Sequence, residues 1–247
     1  PHQDQEPRMG CGGSKPEQSA SPSVGANGGG GSGGGGAKAA PKKPVELDVS
    51  GQNLETLTGN LEGLTKINAS DNALKELPDA IGALDVLESL DVSGNQLTTL
   101  PAEIRGCTAL KELLCFKNNI KELPTSMSGG NLPALETLNL FNNKLRKIPN
   151  EIGSLSSLEE VNIAANKLMM VDAQAMAGWS SVKVLSLYDN NLVRLGSLAP
   201  LTALTEVRLY GNNLESMPEF GRRVPALEVL EMHKNRIAAI PDDYFSS

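Results

Sequence analysis

The sequence predicts an α/β solenoid in which short parallel strands alternate with short helical or 3-10 return segments. Three observations support this: a unit of about 23 residues recurs nine times, each unit carries an apolar pair spaced two residues apart, and a polar amide, almost always asparagine, follows each pair. A unit this small cannot bury its own apolar face, so neighbouring units must stack and share one core. The predicted domain is a curved horseshoe of about nine repeats, with strands on its concave face and return segments on its convex face.

The recurring amide marks the repeats. Its position is filled by Gln52, Asn72, Asn95, Asn118, Asn143, Asn166, Asn190, Asn212 and Asn235. A side-chain amide both donates and accepts hydrogen bonds, so it can satisfy backbone groups that are exposed where each strand turns. The pattern predicts a ladder of amides along the domain, with a looser first turn at Gln52.

The apolar pairs predict the strands. Leu90 and Val92 are two residues apart, which places both side chains on the same face of an extended strand. Equivalent pairs are Leu113/Cys115, Leu138/Leu140, Val161/Ile163, Leu185/Leu187, Val207/Leu209 and Leu230/Met232. These residues are expected to point inward and to stack from one repeat to the next.

A step from an apolar residue to proline begins most return segments, because proline restricts the backbone and suits the first residue of a helical turn. The steps are Leu77-Pro78, Leu100-Pro101, Leu123-Pro124, Ile148-Pro149, Met217-Pro218 and Ile240-Pro241. Apolar residues then recur every three positions, as a short helical or 3-10 segment requires. Cys107 and Trp179 occupy such return-segment positions and Cys115 an inward strand position, so we predict that the two thiols are buried and inert rather than redox-active or metal-binding.

These motifs resemble the cytoplasmic leucine-rich-repeat proteins of the Leu-Pro type, which include Ras-associated scaffolds and plant intracellular Ras-group-related proteins. The resemblance covers residues 45–247. It implies a curved parallel sheet that binds a protein, with a small GTPase or a phosphatase as the partner class. Two stretches depart from the pattern: 192–204 lacks the Leu-Pro step and resembles the shorter repeats of a type-one phosphatase regulator, and 166–182 carries methionine and tryptophan.

Composition narrows the function classes. The chain has 247 residues, three cysteines and a net charge of −7; residues 1–44 carry +2 and the residues after them −9. Three cysteines favour a reducing compartment, and no apolar run is long enough for a membrane helix. An acidic repeat domain would repel phosphate, so a nucleic-acid partner is not expected. We predict a cytoplasmic, monomeric protein whose partner is another protein.

Residues 1–44 are rich in Gly, Ser and Pro and are predicted to form a disordered tail. Met9-Gly10-Cys11-Gly12-Gly13-Ser14 matches the N-myristoylation pattern, with a cysteine beside the glycine. Myristate on Gly10 and palmitate on Cys11 would together anchor the protein stably at the cytoplasmic face of a membrane. This requires Met9 to be the true initiator, and the alternative is an accidental internal match.

The sequence does not favour an enzyme. Its histidines are His2 and His233, so no Ser/His/Asp or Cys/His set has a base nearby. The glycine run at 28–36 lacks the context of a phosphate-binding loop, and we expect neither a cofactor nor a metal site. The alternative is that these repeats regulate a larger signalling enzyme, such as a phosphatase, kinase or nucleotide cyclase. The reading frame after Ser247 would decide between the two.

The position directly after each apolar pair should face outward from the concave sheet. It is occupied by Ser50, Ser70, Ser93, Phe116, Phe141, Ala164, Tyr188, Tyr210 and His233. We predict that its aromatic part forms a partner-binding ridge, interrupted at Ala164. A polar surround is predicted from Lys117, Asn139, Asn142, Asn162, Asp189, Glu206, Arg208 and Glu231. The alternative explanation is that aromatic residues simply suit a sheet surface.

Overall fold

The structure, a computed structural model, describes residues 45–220, 226–241 and 244. This part of the chain contains short strands, which we number in chain order: β1 Glu46–Asp48, β2 Lys66–Asn68, β3 Ser89–Asp91, β4 Glu112–Leu114, β5 Thr137–Asn139, β6 Glu160–Asn162, β7 Met170–Val171, β8 Val184–Ser186, β9 Arg194–Leu195, β10 Glu206–Arg208 and β11 Val229–Glu231. All except β7 and β9 join one 9-stranded parallel sheet, in which the strands follow one another in chain order. The predicted leucine-rich-repeat solenoid is therefore confirmed.

The inward face of the sheet forms a continuous apolar core. Leu113 pairs in register with Leu90 on one side and Leu138 on the other, and all three are fully buried. Burying a leucine side chain contributes roughly 1.5–3 kcal/mol, and that burial is available only when neighbouring repeats are stacked. The sheet is thus stabilised by contacts between repeats rather than within one.

Short 3-10 helices form the return segments: η1 Asp79–Ala83, η2 Ala102–Gly106, η3 Asn150–Ser154 and η4 Ala173–Met176. The first three each follow a proline with φ near −68°. The proline carbonyl starts the turn, as when Pro78 accepts from the amide of Ile81 at 3.0 Å. The predicted role of the Leu-Pro step is therefore seen in the backbone.

The return segments pack closely through glycine. A Cβ atom built on Gly106 would lie 1.9 Å from the carbonyl oxygen of Gly82 in the preceding repeat. Gly153 is equally close to the next return segment, since its Cβ would lie 2.0 Å from the oxygen of Gln174. These glycines set the spacing between repeats on the side opposite the sheet.

The predicted amide ladder is present. Asn95 donates from Nδ2 to the oxygen of Ala69 at 2.9 Å, in the preceding repeat, and to Val92 at 3.0 Å, in its own. Its Oδ1 accepts from the amide of Leu74 at 3.0 Å. Each buried asparagine therefore joins two repeats. Gln52 is exposed, and its Nε2 donates to the oxygen of Ser50 in its own repeat at 3.5 Å.

A second, two-stranded parallel sheet forms where the Leu-Pro step is missing. There β7 pairs with β9, and the amide of Gly196 extends the pairing by donating to the oxygen of Val171 at 2.8 Å. The equivalent residue in six other repeats is proline, which has no N–H to donate. The missing step is visible in the sequence, but the repeat pattern alone does not predict this sheet.

The three predicted core residues are buried, as expected. Cys107, Cys115 and Trp179 are each 0% exposed, and the indole nitrogen of Trp179 donates to the oxygen of Ile152 at 3.0 Å. Burial raises the pKa of the Cys107 thiol to about 11 and also raises the pKa of Cys115. Both thiols are therefore protonated at neutral pH, which removes their nucleophilic character.

Candidate partner-binding surface on the concave sheet

Backbone hydrogen bonds hold the outward column of aromatic residues in line. The residue after each column position donates its amide to the column carbonyl of the next repeat: Asn142 to Ala164 at 3.0 Å, Ala165 to Tyr188 at 2.9 Å and Asp189 to Tyr210 at 2.9 Å. These donors have φ between 51° and 54°. This left-handed turn ends each strand and leaves the column side chain on the outer face of the sheet.

The aromatic side chains of the later repeats form one connected stack, which we call the aromatic ridge: Phe141, Tyr188, Tyr210 and His233. The centroids of Tyr188 and Tyr210 lie 4.6 Å apart with 12° between their planes, and those of Tyr210 and His233 lie 4.6 Å apart with 7° between them. The stacking distance is close to the separation of parallel strands, so the sheet itself sets it. Phe116 is half-buried in the same column.

The predicted interruption at Ala164 is wrong. The rings of Phe141 and Tyr188 contact each other across the alanine, with centroids 6.1 Å apart and planes tilted by 42°. Ala164 is fully buried. Aromatic side chains are long enough to reach over one small residue, so the ridge is continuous from Phe141 to His233.

An ion-pair cluster lies beside the ridge. The guanidinium of Arg208 contacts the carboxylate of Glu206 on the same strand, and its Nε lies 3.5 Å from Oε2 of Glu231 on the next. Desolvation, followed by the nearby Tyr188, Asp189 and Glu231, raises the pKa of Tyr210 to about 12, although Arg208 opposes the shift. The Tyr210 hydroxyl is therefore neutral and can donate a hydrogen bond at physiological pH.

Two residues of the predicted polar surround, Asn139 and Lys117, have defined local roles beside the column. Oδ1 of Asn139 accepts from the backbone amide of Phe141 at 3.1 Å, which holds the start of the ridge in position. Lys117 is exposed and occupies a left-handed turn position with φ 54°. The early repeats use the same local bond without an aromatic residue, as when Asp91 accepts from the amide of Ser93 at 2.9 Å.

The second sheet exposes apolar side chains that sequence reasoning missed. Met169 is 63% exposed, and Met170 and Val193 are exposed beside it. The signal in the sequence was the loss of the Leu-Pro step in both of these repeats. Asp172 and Gly196 stand where the other repeats have proline, and this replacement marks the additional strand pairing.

Some predictions concern other parts of the chain or other kinds of site. Gly10 and Cys11, the predicted acylation sites, lie outside the described residues. Within the described ranges, no group of three or more His, Cys, Asp or Glu side chains is arranged to hold a metal ion, and no helix has the length and apolar character to cross a membrane.

A family model described as a leucine-rich repeat region matches residues 48–237. The chain belongs to the leucine-rich repeat family. The match covers the strands from β2 to β11, including the repeats without a Leu-Pro step. The departures from the Leu-Pro pattern are therefore variations within one leucine-rich repeat array.

Known leucine-rich repeat proteins resemble parts of this one. The human leucine-rich repeats and immunoglobulin-like domains protein 3 is 30% identical over 123 residues, which are 49% of this chain and 11% of that protein. A leucine-rich repeat protein of Leptospira interrogans has a similar structure, with a TM-score of 0.69, 28% identity, and coverage of 81% of this chain and 57% of that one.

A solved plant structure with a similar fold is a complex of a leucine-rich repeat ectodomain. It is the ectodomain of the membrane receptor kinase GASSHO1/SCHENGEN3 from Arabidopsis thaliana in complex with Casparian strip integrity factor 2. Its TM-score is 0.65 at 28% identity, over 74% of this chain and 23% of that one. Family membership and structural similarity together indicate a protein-binding domain.

Proposed function

We propose that this leucine-rich repeat protein is a scaffold or adaptor that binds its partner on the concave face, with the aromatic ridge as the anchor. The observation that carries the proposal is the continuous ring stack from Phe141 to His233 on the outer face of the sheet. Tyrosine and other aromatic residues are enriched among the side chains that dominate binding energy at protein interfaces. The partner classes that the family resemblance implies, a small GTPase or a phosphatase, belong to this proposal.

The decisive experiment separates binding from stability. Phe141→Ala plus Tyr188→Ala removes the N-terminal half of the ridge, and an interface anchor should then lose roughly 2 kcal/mol or more of binding energy. The variant should still fold, because the leucine core beneath the sheet is untouched. Affinity for a purified partner and thermal melting of the same sample give the two readouts.

A matched control removes exposed apolar surface elsewhere. Val86→Ala plus Met169→Ala truncates two exposed side chains outside the ridge, and it should leave partner affinity unchanged. Unchanged affinity in the ridge variant, together with a large loss of stability, would assign the ring stack a purely structural role. The concave binding site would then have to be sought among the polar residues of the early repeats.

Membrane attachment through an acylated N-terminus is a further part of the proposal. Myristate alone binds membranes marginally, so the adjacent cysteine matters because it allows a second acyl chain. The Met9-initiated protein should fractionate with membranes in eukaryotic cells, whereas Gly10→Ala and Cys11→Ser should shift it toward the cytosol. Identical fractionation of all three proteins would contradict the tether.

A second candidate function is that of a regulatory repeat domain within a larger signalling enzyme. The observation in its favour is that the similar plant repeats are the ectodomain of a receptor kinase. Sequencing the transcript beyond Ser247 tests this candidate. An in-frame kinase, phosphatase or nucleotide cyclase domain would support it, and a stop codon after one terminal cap would favour the separate adaptor.

A further inference from the structure

We propose that the aromatic ridge binds an extended basic segment of a partner protein, with a lysine or arginine side chain lying across Tyr188 and Tyr210 between flanking carboxylates. This inference rests on the proposed function, because it names the chemistry of the partner at the same surface. It follows from which part of the Tyr210 ring stays exposed and from the charges beside it.

Stacking determines which part of each ring a partner can touch. Tyr188 and Tyr210 are nearly parallel at 4.6 Å, and His233 covers the other side of Tyr210 in the same way. The two faces of Tyr210 are therefore occupied, and its rim and hydroxyl are what remains at the half-exposed surface. An apolar rim is covered well by an aliphatic chain, whereas a cation cannot reach a covered ring face.

The charged side chains beside the ridge favour the binding of a positively charged group from a partner. Glu206 and Glu231 both approach Arg208, so two carboxylates share one guanidinium and the cluster retains a negative charge. Asp189 and Glu231 both act electrostatically on the Tyr210 hydroxyl, which places one carboxylate in the repeat on either side of Tyr210 within range of the same ring. Two carboxylates and the Arg208 guanidinium therefore act on Tyr210, and that guanidinium is shared with a third carboxylate, Glu206.

Other charged residues on or beside the same strands contribute to the net negative charge near the ridge. Glu160 on β6 is exposed and acidic, while Lys183, just before β8, is paired with Glu159 at 2.7 Å. Lys234 follows His233 and is the cation at the far end of the ridge. A basic partner side chain is thus drawn to the middle of the ridge, at Tyr188 and Tyr210, and away from its C-terminal end.

Lysine and arginine side chains match both the apolar rims of the rings and the carboxylates beside them. Their long apolar stems can lie along the ring rims while the charged heads reach Asp189 or the Glu206 and Glu231 pair. A glutamate in the same place would meet like charges, which cost binding energy across an interface. A nucleic-acid strand or an acidic peptide is disfavoured for the same reason.

Short labelled peptides that differ at one repeated position can test stem and charge separately. The probes are an otherwise Gly/Ser peptide carrying lysine, norleucine, diaminobutyrate or glutamate, measured by fluorescence anisotropy with the full chain. Norleucine keeps the stem without the charge, and diaminobutyrate keeps the charge on a shorter stem. We expect the lysine peptide to bind at least about tenfold more tightly than any of the others, equivalent to about 1.4 kcal/mol.

Salt provides a second readout. Raising the ionic strength from about 0.01 M to about 1 M shortens the Debye length from about 30 Å to about 3 Å, so it should weaken the lysine peptide and leave the norleucine peptide nearly unchanged. Equal binding of the norleucine and lysine peptides would overturn the proposal in favour of apolar docking alone. Tighter binding of the glutamate peptide would overturn it as well.

A charge variant locates the site. Asp189→Asn plus Glu231→Gln removes two negative charges at the ridge, and asparagine tolerates the left-handed backbone of residue 189. Asp79→Asn plus Glu151→Gln makes the same change of charge in the return segments and serves as the control. We expect the first variant to bind the lysine peptide about tenfold more weakly and the second to bind it normally.

The outcomes also distinguish this inference from the proposed function. If no peptide binds while Phe141→Ala plus Tyr188→Ala still abolishes partner binding, the concave anchor stands and the basic partner segment is wrong. If the lysine peptide binds but the ridge variant leaves partner affinity unchanged, the basic site stands and the anchor role is wrong. Equal weakening by both charge variants would assign the effect to net charge and overturn the proposed site.

Discussion

The rings of Phe141 and Tyr188 are in contact, with centroids 6.1 Å apart, although a complete repeat separates the two residues in the sheet. Ala164 occupies the intervening position of the column and is 0% exposed. The methyl group of Ala164 is therefore fully covered. The two rings can meet above it because this side chain is small.

This arrangement predicts that Ala164 cannot be enlarged. Ala164→Leu adds volume to a fully buried position and should destabilise the fold by about 1–3 kcal/mol. Urea unfolding measures the change, with Ala80→Leu at an exposed site in η1 as the control, expected to stay within about 0.5 kcal/mol. A stable Ala164→Leu protein would indicate open space at this position in place of a closed surface.

The asparagine ladder predicts a large loss of stability when one of its side-chain amides is removed. Nδ2 of Asn143 donates to the oxygens of Cys115 and Leu140, and Oδ1 accepts from the amide of Ile120 at 2.9 Å. Asn143→Ala leaves these buried backbone groups without partners and should cost at least about 2 kcal/mol of unfolding free energy. Chemical denaturation measures it, with the exposed Asn150→Ala as a reference that should match wild type. Similar midpoints for the two variants would refute the structural role of the ladder.

Close packing of the return segments predicts that replacing one glycine by alanine destabilises the fold, whereas replacing another does not. Gly106→Ala would place its methyl carbon 1.9 Å from the oxygen of Gly82, so η1 and η2 would have to move apart. We expect a loss of roughly 1–3 kcal/mol in unfolding free energy. Gly130→Ala meets no atom within 4 Å and should have little effect. If calorimetry gave the same melting temperature for both variants, the close approach would not constrain the fold.

The raised pKa of Tyr210 predicts a loss of stability at alkaline pH. Its pKa is raised from 10.0 to about 12 in the folded protein, chiefly by desolvation. The unfolded chain releases this proton more readily, so the contribution to stability is complete below pH 10 and is lost as the pH rises toward about 12. Tyr210→Phe keeps the ring and removes the proton, so its stability should fall less steeply over this interval. Parallel pH profiles for the two proteins would show that Tyr210 titrates normally.

Much of the fold could be predicted from periodicity because leucine-rich repeats encode structure locally. The spacing of Leu90 and Val92 sets the inward face of a strand, and three of the prolines, Pro78, Pro101 and Pro149, each precede a 3-10 helix. The outward column could be identified for the same reason, since side-chain direction in a strand depends only on position. The pairing of β7 with β9 was missed, because it depends on two segments 24 residues apart that lose proline together.

The sequence by itself determined the family, the repeat number, the inward apolar pairs and the column on which the aromatic side chains stand, because each of these follows from spacing along one strand or one turn. Only the tertiary structure decided that the rings of Phe141 and Tyr188 close over Ala164 and that Arg208 is shared by Glu206 and Glu231. Contacts of this kind lie between repeats, and they depend on the reach and tilt of side chains from separate strands. Spacing along the chain carries no information about either.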